Sequence, residues 1–171
     1  MKFAGTRAIA RLVLAFVAVA ALAGCSMFSD SGKSETAKAA VGSCISVIEG
    51  SMVDSKTEPV DCSTEQAVYK VMQVYDTKTE CKEEYTSYEE TSNGDTTAFL
   101  CLAPNFKEGA CYNESPTTGY KNVPCTATEA SFKVNQRIDG QADEFLCDAT
   151  AIGFRIVPDP KITFCLGTPK A

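Results

Sequence analysis

Nine cysteines and no histidine bound the chemistry open to this chain of 171 residues. Without an imidazole there is no Ser-His-Asp or Cys-His nucleophilic pair and no histidine metal ligand. Zinc and iron-sulfur sites built from thiolates use close pairs, two to four residues between ligands. The nearest neighbours here, Cys101 and Cys111, have nine residues between them, and every other gap is 13 or more. A Cys-x-x-Cys motif is missing, so thiol-disulfide exchange lacks its usual device. Crosslinking is the chemistry that remains, and no metal or cofactor is expected. Glu83, Glu84, Glu89 and Glu90 form an acidic cluster that in principle binds calcium or supplies an acid and base pair. A solvated helix face is the favoured reading, because calcium loops alternate oxygen ligands around a turn glycine and this run is interrupted by Tyr85, Ser87 and Tyr88. Asn93-Gly94-Asp95 reads as a turn. Tyr69, Tyr75, Tyr85, Tyr88, Tyr112 and Tyr120 either supply an aromatic binding surface or sit half-buried in a small core. Asn113-Glu114-Ser115 has the form of an N-glycosylation acceptor, with no reason to expect its use.

The chain carries 22 acidic and 16 basic side chains, a formal charge of −6, and has no basic stretch outside its N-terminus. Nucleic acid is therefore excluded as a partner, since phosphate backbones require clustered Lys and Arg. At the N-terminus, Lys2, Arg7 and Arg11 flank the start of an apolar run from Leu12 to Ala23. That run is too short for a transmembrane helix of about 20 residues and suits the apolar region of a secretory signal. It ends in Leu22-Ala23-Gly24-Cys25, which resembles the bacterial lipobox at every position. The resemblance implies cleavage before Cys25, a diacylglycerol thioether on its sulfur, and acylation of the new N-terminus. Removing residues 1–24 takes away three basic and no acidic side chains, which leaves a net charge of −9. No polybasic patch then assists membrane binding, so the anchor is the lipid.

With Cys25 assigned to lipid, eight cysteines remain: Cys44, Cys62, Cys81, Cys101, Cys111, Cys125, Cys147 and Cys165. An even set in an exported chain reads as disulfides. Their neighbourhoods repeat. Val60-Asp61-Cys62-Ser63, followed by Ala67, Tyr69, Lys70 and Val71, matches Val123-Pro124-Cys125-Thr126, followed by Ala130, Phe132, Lys133 and Val134. Phe99-Leu100-Cys101-Leu102 matches Thr163-Phe164-Cys165-Leu166, and Gly42-Ser43-Cys44 parallels Gly109-Ala110-Cys111. The four cysteine-to-cysteine shifts are 67, 63, 66 and 64. Such agreement predicts two copies of one unit. The expected organisation is a signal peptide at 1–24, a flexible tether at 25–41 made of small polar residues, a first four-cysteine unit at 42–106 and a second at 107–171.

Each unit has elements that can hold its cysteines. Cys44 to Ile48 reads as a strand, followed by a polar loop through Asp54 and Lys56. Residues 67–75 alternate apolar and polar as a half-buried strand does, and 131–135 do so more briefly. Cys81, Tyr85 and Tyr88 fall at i, i+4 and i+7, a spacing that Cys147, Ala151 and Phe154 repeat, so a short helix is predicted at each third cysteine. Residues 98–102 and 162–166 close the units as strands. The predicted fold class is α+β: two disulfide-stapled units, each with three or four strands and one short helix, packed side by side or following one another as lobes. Three pairings within a unit are possible. The favoured one joins first to second and third to fourth cysteine: Cys44 to Cys62, Cys81 to Cys101, Cys111 to Cys125 and Cys147 to Cys165.

The order Gly-x-Cys, then Val-x-Cys followed by an alanine and an aromatic-Lys-Val strand, then a cysteine in the predicted helix, then Leu-Cys-Leu-x-Pro, resembles the small LppU-like lipoproteins of actinobacteria and the related septum-formation domain. It spans 44–105 well and 109–168 less well. Those families often place a histidine just after the second cysteine, where this chain has Ser63, Thr64 and Glu65. The resemblance implies an envelope-exposed lipoprotein and no catalytic residues.

Three functions are compatible with these readings. The first is a non-enzymatic module on the extracytoplasmic face of the cell membrane, binding an envelope protein, peptidoglycan or lipid, with bivalency if the two units carry equivalent sites. The second is a carrier for a small apolar ligand held between the units, which requires a cavity of at least about 300 Å³. A carboxylate-dependent cell-wall hydrolase is the third and needs two facing carboxylates.

Overall fold

A computed structural model describes residues 33–49 and 56–169. The readings of 1–24 and of Cys25 lie outside the described residues. Ten strands are present: β1 (Cys44–Glu49), β2 (Lys56–Val60), β3 (Tyr69–Tyr75), β4 (Thr86–Ser92), β5 (Asp95–Pro104), β6 (Cys111–Ser115), β7 (Gly119–Val123), β8 (Phe132–Asp139), β9 (Gly153–Pro158) and β10 (Lys161–Gly167). They form two antiparallel five-stranded sheets with orders β2-β1-β3-β5-β4 and β7-β6-β8-β10-β9. The two orders are the same topology written twice.

The repetition extends to register. Cys44 lies between Val60 and Lys70, and Cys111 lies between Val123 and Lys133. In the first sheet the pairing steps from Val71–Leu102 to Gln73–Cys101 and leaves Met72 as a bulge. In the second it steps from Val134–Leu166 to Gln136–Cys165 and leaves Asn135 in the same place. A bulge moves every later side chain to the other face, so its retention keeps both copies in one inward and outward pattern.

The α+β expectation is wrong: the described residues are almost entirely β, with a single 3₁₀ turn, Glu144–Leu146. The predicted helix of the first unit is a loop carrying Cys81 and Tyr85, followed by β4, which carries Tyr88. In the second unit the turn precedes Cys147, Ala151 lies in a loop, and Phe154 belongs to β9. The reason is long-range. Ala98 to Ala103 of β5 are buried at 3 % exposure or less, and without a neighbour their outward N–H and C=O groups would be unpaired. Segment 86–92 supplies that neighbour along its whole length. An eight-residue helix has little intrinsic stability to set against such a ladder. Each unit therefore has five strands, not three or four. The polar loop through Lys56 includes the edge strand β2, where Pro59 is tolerated because the strand has one partner only.

Of the segment expected to be a tether, residues 34–39 lie on the first sheet. The Ser34 N–H donates to Glu90 on β4 (3.0 Å), the Thr57 hydroxyl on β2 donates to Thr36 Oγ1 (2.8 Å), and Thr36, Ala37 and Ala39 are buried. The chain thus joins the two edges of the sheet before β1 begins.

The two sheets share one apolar core, including Ile45, Val71 and Leu100 from the first and Tyr112, Val134 and Phe164 from the second. Three contacts join them. In the linker, Asn105 donates its side-chain amide to Ala67 O (2.9 Å) and accepts from Arg137 Nη1 (3.2 Å), which also donates to Phe106 O (2.9 Å). On β9–β10, Lys82 pairs with Asp159 (3.1 Å) while the Tyr85 hydroxyl donates to the Asp159 carbonyl. The third is a close approach: the Tyr120 N–H donates to Tyr69 Oη (2.7 Å), and a Cβ on Gly119 would stand 2.3 Å from that oxygen. Gly119 also has φ +72°, a conformation that disfavours a side chain. Tyr69 is 3 % exposed, so its ring has no room to retreat. Gly119→Ala should lower stability by about 2–4 kcal/mol, combining left-handed strain with overpacking. Gly140→Ala, with φ +83° and open space around it, isolates the strain alone and should cost about 1–2 kcal/mol. Urea midpoints of the two variants check the difference, which vanishes if the sheets do not meet at Tyr69.

Candidate functional site

Four bridges pair Cys44–Cys62, Cys81–Cys101, Cys111–Cys125 and Cys147–Cys165, the pairing favoured from the repeat. Cα separations of 5.1 to 5.5 Å suit unstrained disulfides. Cys44 and Cys111 tie the first strand of each unit to the loop after the second. Cys101 and Cys165 tie the buried closing strand to the loop that was expected to be helical. All eight cysteines are therefore committed to scaffold.

The acidic cluster is separated by the strand it occupies. Glu89 and Glu90 are consecutive on β4 and point to opposite faces. Glu89 takes Lys78 (2.7 Å) and the Thr96 hydroxyl (2.7 Å), whose contacts hold its carboxyl below the ordinary range. Glu90 accepts from Ser34 and from the Tyr88 hydroxyl (3.3 Å). Glu83 and Glu84 stand apart, at the rim of a cleft. Asn93 and Gly94 form the β4–β5 turn, both with positive φ. Asn113 and Ser115 lie on β6, where the Asn113 amide donates to Glu129 O (2.6 Å). Ser63, just after Cys62, closes a turn by donating N–H (2.8 Å) and hydroxyl (2.6 Å) to Asp61.

The cleft lies between the two units and has a volume of about 710 Å³. Every strand of the first sheet lines it, with Ile45 and Val47 of β1, Thr57 of β2, Tyr69 of β3, Tyr88 of β4 and Leu102 of β5. The opposing wall is the β6–β7 hairpin from Glu114 to Tyr120, with Arg155 and Ile156 of β9. Its polar feature is a compact cluster. Arg155 Nη2 donates to both Glu114 oxygens (2.8 Å each), Arg155 Nε donates to Tyr120 Oη (3.1 Å), and that hydroxyl donates to Glu114 Oε1 (3.1 Å). Burial opposes the Arg155 charge, but Glu114 and Tyr120 outweigh it and raise its pKa.

Four of the six tyrosines, Tyr69, Tyr85, Tyr88 and Tyr120, line this cleft. Tyr112 is fully buried, its oxygen accepting from the Lys107 N–H (2.8 Å). Burial pushes its phenol up to about 12 and raises that of Tyr69 further. The folded state favours both protonated phenols, so their contribution is complete below about pH 10, the unfolded value, and is lost as pH rises from there through the folded values. Alkaline titration followed by phenolate absorbance should show these two ionising together with loss of near-UV circular dichroism above about pH 10. Smooth ionisation of all six without unfolding would contradict their burial.

Arg155, the 116–119 turn and the linker residue Phe106 were not singled out from sequence. For Phe106 a signal existed. It stands five residues before Cys111, and Ala39 stands five before Cys44.

In comparisons with known proteins, no family model, no curated protein and no solved structure matches the chain.

Proposed function

We propose that this protein is a binding module, lipid-anchored through Cys25 on the outer face of the cell membrane and akin to the LppU-like lipoproteins, which holds its ligand in the cleft between its two units. The observation that carries the reading is the cleft itself. It is concave, floored by Ile45, Val47 and Leu102, edged by four tyrosine rings and supplied with a few fixed polar groups, the composition expected of a ligand site. The lipobox supports the anchor, and four disulfides suit an oxidising compartment. Binding is favoured over hydrolysis because Glu114, the carboxylate on the wall opposite Glu83 and Glu84, is held by Arg155 and Tyr120 and is no free partner for an acid and base pair across the cleft. One site is favoured over two, because the matching face of the second unit is filled by Phe106. The test is a titration of the oxidised, isotope-labelled protein with p-cresol and with n-octanol. Methyl signals of Ile45, Val47 and Leu102 should move while those of the outward Val74 and Ile152 stay. Movement spread over the outer surface, or none with either probe, would overturn the reading.

A further inference from the structure

Two sheet edges border the cleft, as the pattern of its lining shows. Strands that present a face contribute alternate residues, Ile45 and Val47 from β1 and Leu102 and Pro104 from β5. β4 and β9 instead contribute consecutive ones, Thr86, Ser87 and Tyr88 from the first and Arg155 and Ile156 from the second. Neighbouring side chains of a strand point to opposite faces, so a run of them reaches one cavity where the edge of the strand is turned toward it. Both strands are outermost in their sheets. They are pinned together at one end, where Lys82 and Tyr85 before β4 hold Asp159 after β9.

An edge strand turns the N–H and C=O of every second residue away from its one partner, and folded proteins commonly guard such groups with proline, lysine, a bulge or a covering segment. Three of the four edges here are guarded. β2 carries Lys56 and Pro59 and has the Thr57 hydroxyl on Thr36. β7 carries Lys121, and its Tyr120 N–H is taken by Tyr69. β9 ends in Pro158, and Arg155 Nη1 covers the Phe154 carbonyl (3.0 Å). β4, Thr-Ser-Tyr-Glu-Glu-Thr-Ser, has neither proline nor a basic side chain. Its guards stand at the far end, a bulge between Glu90 and Thr91 and the Ser34 N–H on the Glu90 carboxylate. Among the described residues, nothing outside β5 hydrogen-bonds to the backbone of residues 86–89. That open stretch, about 13 Å long, includes the three β4 residues that line the cleft.

We infer that the cleft binds a peptide in extended conformation, which adds to the first sheet as a sixth strand beside β4. The inference rests on the reading of the cleft as a binding site and names what it binds. Main-chain hydrogen bonds to residues 86–89 supply the affinity, and alternate side chains of the peptide turn into the cleft and supply the selectivity. Those inward side chains lie beside Thr86 and Tyr88 and reach toward Leu102, which pairs with Thr86 and is apolar, so apolar residues at alternate positions are the peptide pattern that fits. Antiparallel addition is the expected sense, because it is the more stable per residue. A ligand without a peptide backbone would cover the apolar floor and leave the β4 edge unpaired.

The test titrates the oxidised, isotope-labelled protein with N-acetyl-Thr-Val-Thr-Val-Lys-amide, whose valines fall on one face and whose lysine keeps it soluble. At saturation the Leu102 methyl signals should move, and the amides of every second residue in 86–89 should exchange with solvent about tenfold more slowly or slower still. Two N-methylated versions of the peptide decide the mode. Methylation of alternate residues in one frame removes the N–H groups that face β4 and should weaken binding about tenfold or more, whereas methylation in the other frame should be tolerated. Equal affinity for the two versions, or movement of Leu102 with unchanged exchange in 86–89, overturns the inference while the cleft remains a binding site. Slow exchange of those amides before any peptide is added means that another part of the chain or a second copy already covers the edge, and overturns it as well. If n-octanol moves the cleft signals and the peptide does not, the inference fails alone. If p-cresol, n-octanol and peptide all leave the signals unmoved, both readings fail.

Discussion

Phe106→Ala is expected to lower the unfolding free energy by about 3–5 kcal/mol, the range for removing a fully buried aromatic ring from a packed interior. The upper part of that range is expected here for two reasons. The ring has no solvent exposure and four aromatic neighbours with centroids within 5.3 Å, so its loss removes aromatic contacts from Tyr112, Tyr120, Phe132 and Phe164 together. The backbone around it is also held on both sides, by Arg137 on the Phe106 carbonyl and by Tyr112 on the Lys107 N–H. A linker so fixed cannot collapse into the vacancy, and an unrelaxed cavity is the costly kind. Urea unfolding with the disulfides intact measures the loss. A value below about 1.5 kcal/mol would mean that the linker repacks. Benzene should raise the midpoint of the variant and leave the unaltered protein unchanged, because an apolar ligand that binds only the folded cavity stabilises it.

What the sequence discloses of this fold follows from how local each signal is. The duplication was legible because four cysteines recur with their flanks, and a bridge constrains both of its ends at once. β1, β3 and β5 were legible because each buries its own side chains: Tyr69 and Val71 alternate inward, and residues 98–103 are apolar throughout. The edge strands were not. Lys56–Val60 buries no residue fully and is a strand only because β1 lies beside it. Thr86–Ser92 is half-buried and polar, and the spacing of Cys81 and Tyr85 before it with Tyr88 within it satisfied a helical template without forming a helix. Helix and strand periods coincide over so few residues, and the choice was made by the needs of β5. Small residues misled in the same way. Thr36, Ala37 and Ala39 lack the bulk that marks a core, yet they are buried because the sheet offers them a surface.

The cleft was legible even less, since it depends on where one unit sits on the other. The approach of Gly119 to Tyr69 and the reach of Arg155 to Glu114 join residues 50 and 41 positions apart, and no period or motif encodes them. The tyrosines could be counted but not placed. The exception is the pair Ala39 and Phe106, whose equal distance from the first cysteine of each unit was present in the text of the chain.

Reduction of all four bridges is expected to unfold the protein at 25 °C without denaturant. The loops closed by the bridges have sequence separations of 18, 20, 14 and 18 residues. For loops near 15 residues the chain-entropy model gives about 3 kcal/mol each. The loops 44–62, 81–101, 111–125 and 147–165 neither nest nor overlap, so closing one does little to restrict another, and their contributions add to about 12 kcal/mol. That figure falls within the whole net stability of an ordinary domain, about 5–15 kcal/mol. The loop cysteines Cys62, Cys81, Cys125 and Cys147 are only half-buried, whereas their partners Cys44, Cys101, Cys111 and Cys165 are buried at 3 % exposure or less. A reductant therefore meets one sulfur of each pair near the surface. Far-ultraviolet circular dichroism in dithiothreitol should lose its β signal, while the single-bridge variant Cys81→Ala with Cys101→Ala should remain folded with a stability lower by about 3 kcal/mol. The comparison separates two sources of order. If the reduced protein keeps its β signal and its near-ultraviolet bands, the core shared by Ile45, Leu100, Phe106 and Phe164 is sufficient alone, and the bridges serve the durability of the fold and not its formation.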